Sequence, residues 1–462
     1  MAILSRIQVR LGFSKIQIFQ KVENSLPWDK DKIMTSQSPI IIIGNGIAGT
    51  TLARNIRKKS RQAILIISKE SDYFFSRTAL MYVYMGHLKW EHLEPYEKGF
   101  WQKNKIDLLN AEVTNINAKE KVVVLANGQH LSYDSLVLAT GSTPNKFGWK
   151  GQDLENVQGL YTKQDLEQLT ANTPNIQQAV VVGGGLIGIE LVEMLHSRGI
   201  TASFLVRENH FWSKVISPHE GEMIERHIRA HGIDLRMNAN LIEIISDENG
   251  KAASVLTDQG DIIPCQMVGL TAGVRPNIDF LKDSNLEINR GILVDQYLAT
   301  NLPDVYAIGD CAELRSPLAH RHAIEAVWYV GRMMGETLAQ SLTGKPTAYT
   351  PGHWFNSAKF FDIEYQTYGQ ISPRATLEEN HFCWKHQTEN CMVRLAYHAK
   401  SRLFLGINTF GIRMRHEVFD QWLKEKVKID TVIENLSKAN FDPEFYAQYE
   451  PQIQAQWHSQ LV

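Results

Sequence analysis

Two segments of the chain repeat one pattern of apolar and polar positions. Each begins with an unbroken apolar run, continues with glycines in the spacing G-x-G-x-x-G, and then places apolar residues at helical intervals. The segments read IIIIGNGIAGTTLARNI (40–56) and VVVGGGLIGIELVEML (180–195). This order predicts a short buried strand, a tight turn and an amphipathic helix in each segment.

The three glycines of each turn have the same three purposes. The first allows the tight turn, the second lets the backbone approach a pyrophosphate, and the third lets the helix pack on the strand. The helix N-terminus then faces the phosphates with free N–H groups. The residues are Gly44, Gly46 and Gly49 in the first turn and Gly183, Gly185 and Gly188 in the second. Both turns therefore predict dinucleotide binding.

A second strand follows each helix at the same interval. The third glycine and the end of the next apolar run are 18 residues apart in both units, 49 to 67 and 188 to 206. An acidic residue is expected after the first of these strands to hold ribose hydroxyls, and Glu70 is the candidate. After the second, Arg207 favours NADPH because a guanidinium accommodates the 2′-phosphate, whereas Glu208 would favour NADH. Both alternatives stay open.

Composition narrows the class of protein. The chain has 462 residues, 44% of them hydrophobic and 21% charged, which indicates a globular protein of two or three domains. A net charge of −2 gives no reason to expect a nucleic-acid partner. Four cysteines fit a reducing compartment, so a cytoplasmic location is expected. Because no run of 18 apolar residues occurs, the sequence predicts no transmembrane helix.

The first 35 residues are predicted to be a poorly ordered N-terminal extension. Four basic residues precede the first acidic residue, Glu23, as in a transit-type leader or a membrane-surface segment. The alternative is a start-site artefact, since Met34 comes shortly before the first strand and would make a sensible start.

Three further motifs complete the pattern. They read YDSLVLATGSTP (133–144), GLTAGVRPN (269–277) and GILVDQYLATNLPDVYAIGDCAEL (291–314). With these motifs, residues 39 to 369 resemble the flavoproteins that have two dinucleotide-binding domains. That family includes ferredoxin and rubredoxin reductases, the flavin part of NADH-dependent nitrite reductase, NADH oxidases and apoptosis-inducing-factor-like proteins.

The resemblance implies an α/β fold in which a Rossmann-like FAD domain is interrupted by a Rossmann-like NAD(P) domain and followed by an α+β domain. The expected boundaries are 36–148 and 269–343 for the FAD domain, 149–268 for the NAD(P) domain and 344–462 for the C-terminal interface domain. Within this last domain the sequence predicts short strands at 381–386, 391–398 and 402–411, a helix over 415–436, and a polar-aromatic tail from 439 that packs or docks.

The resemblance also implies cofactors and their ligands. The first glycine turn would bind FAD and the second NAD(P)H, so that a hydride passes between the two rings. Asp310 would bond the ribityl chain, and Arg77 would help to hold the FAD. The remaining cofactor-binding candidates are Thr140 and Gly141 at the crossing between the domains, with Gly273 and Gly309 in the two later motifs.

Four residues are candidates for the catalytic site. Glu190 matches a glutamate that relatives pair with a lysine beside flavin N5, but the lysine position here reads Tyr82, or Met81 if the gap is placed differently. Tyr82 is therefore expected to donate to Glu190, unless it is a core aromatic residue. The apolar spacing over 318–340 predicts a helix whose N-terminal end carries Arg321 and His322. If this end points at the flavin, either Arg321 or His322 would stabilise the negative charge of the reduced ring. Trp354 is the aromatic residue expected at the flavin face, with Phe355 as the alternative.

Cysteine usage separates the branches of this family. Disulfide reductases carry redox cysteines in the helix after the first unit, but SRTALMYVYMGHLKW (76–90) contains none, and the four cysteines of the chain show no metal-ligand spacing. The sequence therefore predicts an FAD-dependent NAD(P)H oxidoreductase without a redox-active disulfide. A small iron–sulfur carrier of the ferredoxin or rubredoxin type is the expected acceptor. The alternatives are an NAD(P)H oxidase, a quinone reductase, or a slow flavin redox sensor or assembly subunit, and the protein could form a homodimer.

Overall fold

The computed structural model describes residues 38–445 and 447–460. The predicted N-terminal extension, residues 1–35, lies outside the described residues. Among the residues described, no helix is long and apolar enough to cross a membrane.

The strands, in chain order, are β1 (Ile40–Ile43), β2 (Ile64–Ser68), β3 (Asp107–Asn110), β4 (Val113–Asn117), β5 (Val122–Leu125), β6 (His130–Ser132), β7 (Ser135–Leu138), β8 (Ser142–Pro144), β9 (Val157–Gln158), β10 (Gln178–Val182), β11 (Thr201–Val206), β12 (Asp234–Met237), β13 (Leu241–Ser246), β14 (Ala252–Thr257), β15 (Ile262–Pro264), β16 (Met267–Leu270), β17 (Val274–Pro276), β18 (Ile292–Val294), β19 (Val305–Ala307), β20 (Ala312–Leu314), β21 (Phe355–Phe360), β22 (Ile363–Gly369), β23 (Glu379–Lys385), β24 (Met392–His398) and β25 (Phe404–Phe410). The α-helices are α1 (Ile47–Arg57), α2 (Leu80–Tyr84), α3 (Gly99–Lys103), α4 (Lys163–Asn172), α5 (Leu186–Ser197), α6 (Pro218–Ala230), α7 (Trp328–Ser341), α8 (His416–Lys424), α9 (Ile429–Glu434) and α10 (Glu450–Gln460).

Two five-stranded parallel sheets repeat one topology. The first has the order β3-β2-β1-β7-β19 and the second the order β12-β11-β10-β16-β9. The repeat covers the first four strands of each order, because the fifth strand, β19, comes last in the chain in the first sheet, whereas β9 comes first in the second. Each sheet places the strand before a glycine turn, β1 or β10, at its centre. These central strands are buried on both faces, which explains why they read as continuous apolar runs rather than alternating ones.

Antiparallel sheets complete the architecture. A three-stranded sheet precedes the fourth strand of each parallel sheet, β4-β5-β6 before β7 and β13-β14-β15 before β16. The C-terminal part forms a five-stranded sheet in the order β21-β22-β25-β24-β23. Its strands β23 to β25 coincide with the three short strands predicted from the sequence. Helices α8, α9 and α10 pack with the sheet around a separate apolar core.

Two helix predictions were wrong in extent. The helix expected over 318–340 begins only at Trp328, because the preceding segment is tied to β20, where Leu314 N–H donates to the Ala323 carbonyl. The helix expected over 415–436 is divided into α8 and α9. The break follows from bonds to the sheet, since Phe404 N–H donates to the Val427 carbonyl.

The C-terminal segment, predicted only to pack or dock, forms α10 and closes the core of the C-terminal sheet. Trp457 is 3% exposed and meets Phe382 edge-on with a ring separation of 5.1 Å. We expect Trp457→Ala to lower the free energy of unfolding by about 3–5 kcal/mol, because it removes a buried aromatic ring and leaves a cavity. Urea denaturation measures this change.

The matched control for that experiment is Phe445→Ala, because Phe445 is 82% exposed. Equal stability of the two variants would show that α10 adds nothing to the core.

Candidate functional site

A cavity of about 900 Å³ opens at the carboxyl ends of β1, β2 and β7. Strand β1 pairs with β2 on one side and with β7 on the other, so the strand order changes direction at β1. Open α/β sheets bind ligands at such a switch point. The predicted residues that line it are Gly44, Gly46, Glu70, Arg77, Thr140, Gly141, Glu190, Gly309 and Asp310.

The first glycine turn is built by close backbone approach. Gly44 has φ of +115°, and a Cβ there would lie 2.1 Å from the Ala139 carbonyl oxygen. A Cβ on Gly49 would lie 2.1 Å from the Gly44 carbonyl oxygen, so α1 packs directly on the turn. At Gly46, by contrast, a Cβ would meet no described atom within 4 Å. That open cradle at the N-terminus of α1 fits a pyrophosphate.

The second glycine turn repeats this geometry before α5. Gly183 has φ of +120°, and a Cβ there would lie 2.5 Å from the Thr271 carbonyl oxygen. A Cβ on Gly188 would lie 2.1 Å from the Gly183 carbonyl oxygen, whereas a Cβ on Gly185 would again meet no described atom within 4 Å. The chain therefore contains two cradles of one design, each fitting a dinucleotide.

Glu70 and Arg77 form one unit at the cavity wall. Two guanidinium nitrogens of Arg77 donate to the two carboxylate oxygens of Glu70 at 2.8 and 2.6 Å, and Lys163 N–H adds a third bond at 3.0 Å. The guanidinium also lies 4.6 Å from the ring centroid of Tyr161. Glu70 thus already orients Arg77, in addition to facing the cavity where a ribose would lie.

Asp310 lies opposite this unit and accepts hydrogen bonds from two hydroxyls. Ser142 Oγ lies 3.0 Å and Tyr161 Oη 3.5 Å from its carboxylate. Burial raises the pKa of Asp310, and burial also raises the pKa of Tyr161 to about 12, so the phenol stays a neutral donor. Tyr161 was missed by the sequence reasoning, because it precedes α4 and belongs to none of the motifs.

Thr140 and Gly273 lie at the crossing between the two parallel sheets. Thr140 Oγ1 donates to the Asn277 carbonyl at 2.8 Å, and Asn145 N–H donates to the Gly273 carbonyl at 3.0 Å. Gly273 is not among the residues that line the cavity. Its φ of +87° instead fits a tight connection from β16 to β17.

Glu190 lies on the first turns of α5 and faces the same cavity. Burial raises the pKa of Glu190 to about 7, the nearby Glu193 carboxylate adds to the shift, and Lys359 opposes it. Lys359 reaches this site from β21, and its ammonium bonds Glu193 at 2.8 Å. The other oxygen of Glu193, Oε2, is buried without a hydrogen-bond partner among the described residues.

No hydrogen bond joins Glu190 to Tyr82, although both residues belong to the described part of the chain, so the expected donor is absent here. The Tyr82 ring stacks with His87 at 6.2 Å, and the Lys359 ammonium lies 5.7 Å from its centroid. Tyr82 does not line the cavity. The cation of this region therefore comes from Lys359, which sequence reasoning missed because it lies far along the chain on the C-terminal sheet.

Arg321 and Trp354 lie together but away from the cavity. Glu325 binds the Arg321 guanidinium through two bonds of 2.7 and 2.6 Å, and both side chains are 6% exposed. Trp354 covers the guanidinium at 5.2 Å. Since Arg321 is neutralised and the helix starts later than predicted, the N-terminal part of α7 brings Trp328 to the cavity instead.

Arg207 and Glu208 follow β11 as the sequence indicates. Arg207 Nε donates to Glu208 Oε1 at 3.0 Å, and the Arg207 side chain is 65% exposed. Although burial acts to raise it, the pKa of Glu208 is lowered by this hydrogen bond and by the charges of Arg207 and Lys214. The guanidinium is thus held by its neighbour while remaining open to solvent.

Cys311 follows Asp310 but is fully buried. Its thiol donates to the Leu138 and Ile308 carbonyl oxygens at 3.4 Å, and burial raises the pKa of Cys311. A buried thiol with a raised pKa is a poor nucleophile and a poor relay of electrons.

Comparison with known proteins agrees with this geometry. The family model described as pyridine nucleotide-disulphide oxidoreductase matches residues 38–333, more than half of the chain. The chain belongs to the pyridine nucleotide-disulphide oxidoreductase family. It is therefore an oxidoreductase that uses FAD and NAD(P)H, which confirms the predicted family, fold class and cofactors. The predicted domain boundaries stay predictions.

Individual relatives are distant. The chain is 29% identical over 334 residues to the ferredoxin reductase subunit of 5,5′-dehydrodivanillate O-demethylase from Sphingobium, covering 71% of this chain and 81% of that protein. It is 26% identical to rubredoxin–NAD(+) reductase of Ectopseudomonas oleovorans, covering 69% and 84%. A ferredoxin reductase structure from Rhodopseudomonas palustris superimposes with a TM-score of 0.74 at 24% identity, covering 81% and 91%, and shows a shared fold.

The raised pKa of Glu190 makes stability depend on pH. Between the ordinary value of about 4.5 and about 7, the folded protein keeps a proton that the unfolded chain releases, so the free energy of unfolding falls as pH rises through this window. Glu190→Gln carries no such group. Between pH 4.5 and pH 8, the free energy of unfolding of the variant should rise by about 2–3 kcal/mol relative to that of the parent. This range is smaller than the full pKa shift would give, because the site faces a cavity.

Urea denaturation of the FAD-loaded protein at the two pH values measures this gain, with Glu248→Gln, which removes an exposed carboxylate, as control. A difference between Glu190→Gln and the parent that is the same at both pH values would mean that Glu190 titrates normally.

Proposed function

We propose that the protein passes electrons from NAD(P)H through FAD to a small iron–sulfur protein. The observation that carries this proposal is the lack of a thiol relay. Residues 71–104 contain no cysteine, and Cys311 is buried with a raised pKa. Electrons therefore leave for an external acceptor without an internal disulfide. The names of the two relatives above, a ferredoxin reductase subunit and a rubredoxin reductase, support a one-electron iron–sulfur carrier.

The residues at the two nucleotide sites have different roles in binding. The cradles at Gly46 and Gly185 bind the two pyrophosphates through backbone N–H groups. Asp310 accepts hydrogen bonds from sugar-like hydroxyls, and Arg77, held by Glu70, adds a fixed positive charge. FAD, when bound, supplies the hydride acceptor.

Glu190 and Lys359 set the charge where the two nucleotides meet. With the pKa of Glu190 near 7, its carboxyl group exchanges a proton in the physiological range. Lys359, bonded to Glu193, supplies the positive charge that relatives obtain from a lysine near the position of Tyr82. The helix N-terminus at Trp328 faces the cavity and adds a positive dipole end in place of Arg321.

The acceptor is tested by anaerobic turnover. FAD-loaded protein and NADPH or NADH are mixed with a rubredoxin, a [2Fe–2S] ferredoxin or a soluble quinone, and the reduction of each is followed by absorbance. We expect an iron–sulfur protein to be reduced at least about tenfold faster than the quinone. Raising the salt from 0.05 to 0.5 M should slow reduction of an acidic carrier, because salt screens its electrostatic steering.

An aerobic run without any carrier is the control. If oxygen uptake then accounts for all NAD(P)H oxidation at the same rate, the protein is an oxidase and the proposed acceptor is wrong. Negligible turnover with every acceptor, despite full reduction of the flavin, would instead favour a redox sensor.

We infer that the second site accepts NADPH at least as well as NADH. The support is the exposed Arg207 guanidinium at the end of β11, where an acid would repel a 2′-phosphate. Arg207→Glu should then lower kcat/KM for NADPH at least about tenfold more than for NADH, since it replaces an ion pair by a like-charge contact.

Initial rates with both nucleotides test this choice, and Arg229→Gln, a half-exposed arginine on α6, is the control. A parent protein that ignores NADPH would make Glu208 the ribose ligand and overturn the assignment.

A cytoplasmic location and a homodimer complete the proposal. All four cysteines are free, which supports a reducing compartment. The homodimer stays a prediction that sedimentation of the FAD-loaded protein would check.

A further inference from the structure

A second polar cluster lies apart from the residues that line the cavity, where α6 meets the hairpin between β21 and β22. It consists of His227, His231 and Asp362, and one ligand atom from each lies within 4.8 Å of the other two. We propose that these three side chains bind a divalent transition-metal ion, with Zn²⁺ as the ion that fits the donor set.

Helix geometry brings the two imidazoles together. His227 lies on α6, and His231 follows directly after its last residue, so a spacing of four puts both side chains on one face. The His231 Nδ1 lies 2.9 Å from the His227 carbonyl oxygen, which fixes the proton on Nδ1. Its Nε2 is thereby left with a free lone pair, the state that a metal requires.

The second imidazole is held in the same way. His227 is 8% exposed, its Nε2 faces the Asp362 carboxylate, and its Nδ1 lies 3.1 Å from the Asn390 amide. With a metal on Nε2, the proton resides on Nδ1, and the Asn390 amide turned over accepts it through oxygen. Each histidine thus has an orienting partner on the nitrogen that faces away from the ion.

The hairpin turn that presents Asp362 is strained. Phe361 has φ of +55°, a conformation that bulky residues rarely adopt. Its ring stacks on His231 with a centroid separation of 4.2 Å and an interplanar angle of 19°. Such strain persists where the surroundings impose it, and it is common at binding sites. Here the turn holds His231 through the stacked ring of Phe361 and presents Asp362 as the neighbouring ligand.

The three donors leave a coordination position open. The Asp362 side chain is 79% exposed, so a water molecule completes a tetrahedral site from the solvent side. Ligand atoms around a tetrahedral zinc lie about 3.3 Å apart, given bonds of about 2.0–2.1 Å. The Asp362 oxygen lies 2.5 Å from His227 Nε2, and because this side chain is exposed its carboxylate is free to rotate to the longer separation.

Calorimetric titration with Zn²⁺ tests the site on the FAD-loaded protein after treatment with a chelator. We expect one Zn²⁺ per chain, and a rise in Tm of about 3 °C at a hundredfold excess over Kd. Asp362→Asn and His231→Gln should each weaken binding at least about tenfold, since even loss of an orienting partner has that effect. Because Asp362 is exposed, Asp362→Asn should fold as the parent does.

His219→Gln is the matched control, because His219 lies on the same helix and its side chain is 81% exposed. It should keep the affinity of the parent. The proposal is overturned if the parent takes up no Zn²⁺, or if all three variants bind Zn²⁺ as tightly as the parent does.

Discussion

Contact of backbone with backbone at the two glycine turns is the constraint on which the rest of the structure depends. The helix after each turn lies so close that a single methyl group on Gly49 or Gly188 would overlap a carbonyl oxygen. This approach aims the helix N-terminus at the cradle and fixes the distance between the cradle and the neighbouring strand. It extends to α7, where a Cβ on Gly335 would lie 2.6 Å from the Ala48 carbonyl oxygen. The positions of α1 and α7 at the cavity are therefore set by glycines rather than by side chains.

The C-terminal sheet has a different relation to the site, because it contributes charge as well as packing. Lys359 reaches Glu193 on α5, and the buried Arg394 lies 2.9 Å from Glu220 on α6. Asn408 donates to the same Glu220 at 3.1 Å. Removing one partner of such buried contacts leaves an uncompensated group, which is why they fix the orientation of the sheet even where their net stabilisation is small. Through Lys359 the sheet opposes the rise that burial causes in the pKa of Glu190, which lines the cavity, and so its charge reaches the site even though no described residue of the sheet lines it.

The extent to which the sequence predicted the site follows from how local each feature is. The turns at Gly44 and Gly183 were found from the sequence, because strand, turn and helix are neighbours in the chain. Asp310 was expected only from the resemblance to a known family. Lys359 and Tyr161 were missed, since their positions arise from pairing of distant segments that no spacing reveals. Arg321 was expected at the cavity because apolar spacing does not distinguish a helix from an extended segment bound to β20. Its ion pair with Glu325, only four residues away, was compatible with either conformation.

The hairpin between β21 and β22 connects the nucleotide site to the histidine cluster. Lys359 and Asp362 are three residues apart on it, one directed at α5 and the other at α6. Phe361 between them is held in a left-handed conformation by its stack on His231. The turn between the strands has two residues, and pairs such as Lys359 with Glu364 fix its register with β22. One hairpin thus places an ammonium group beside Glu193 on α5 and a carboxylate beside His227 on α6, so both contacts depend on the same register of β21 against β22.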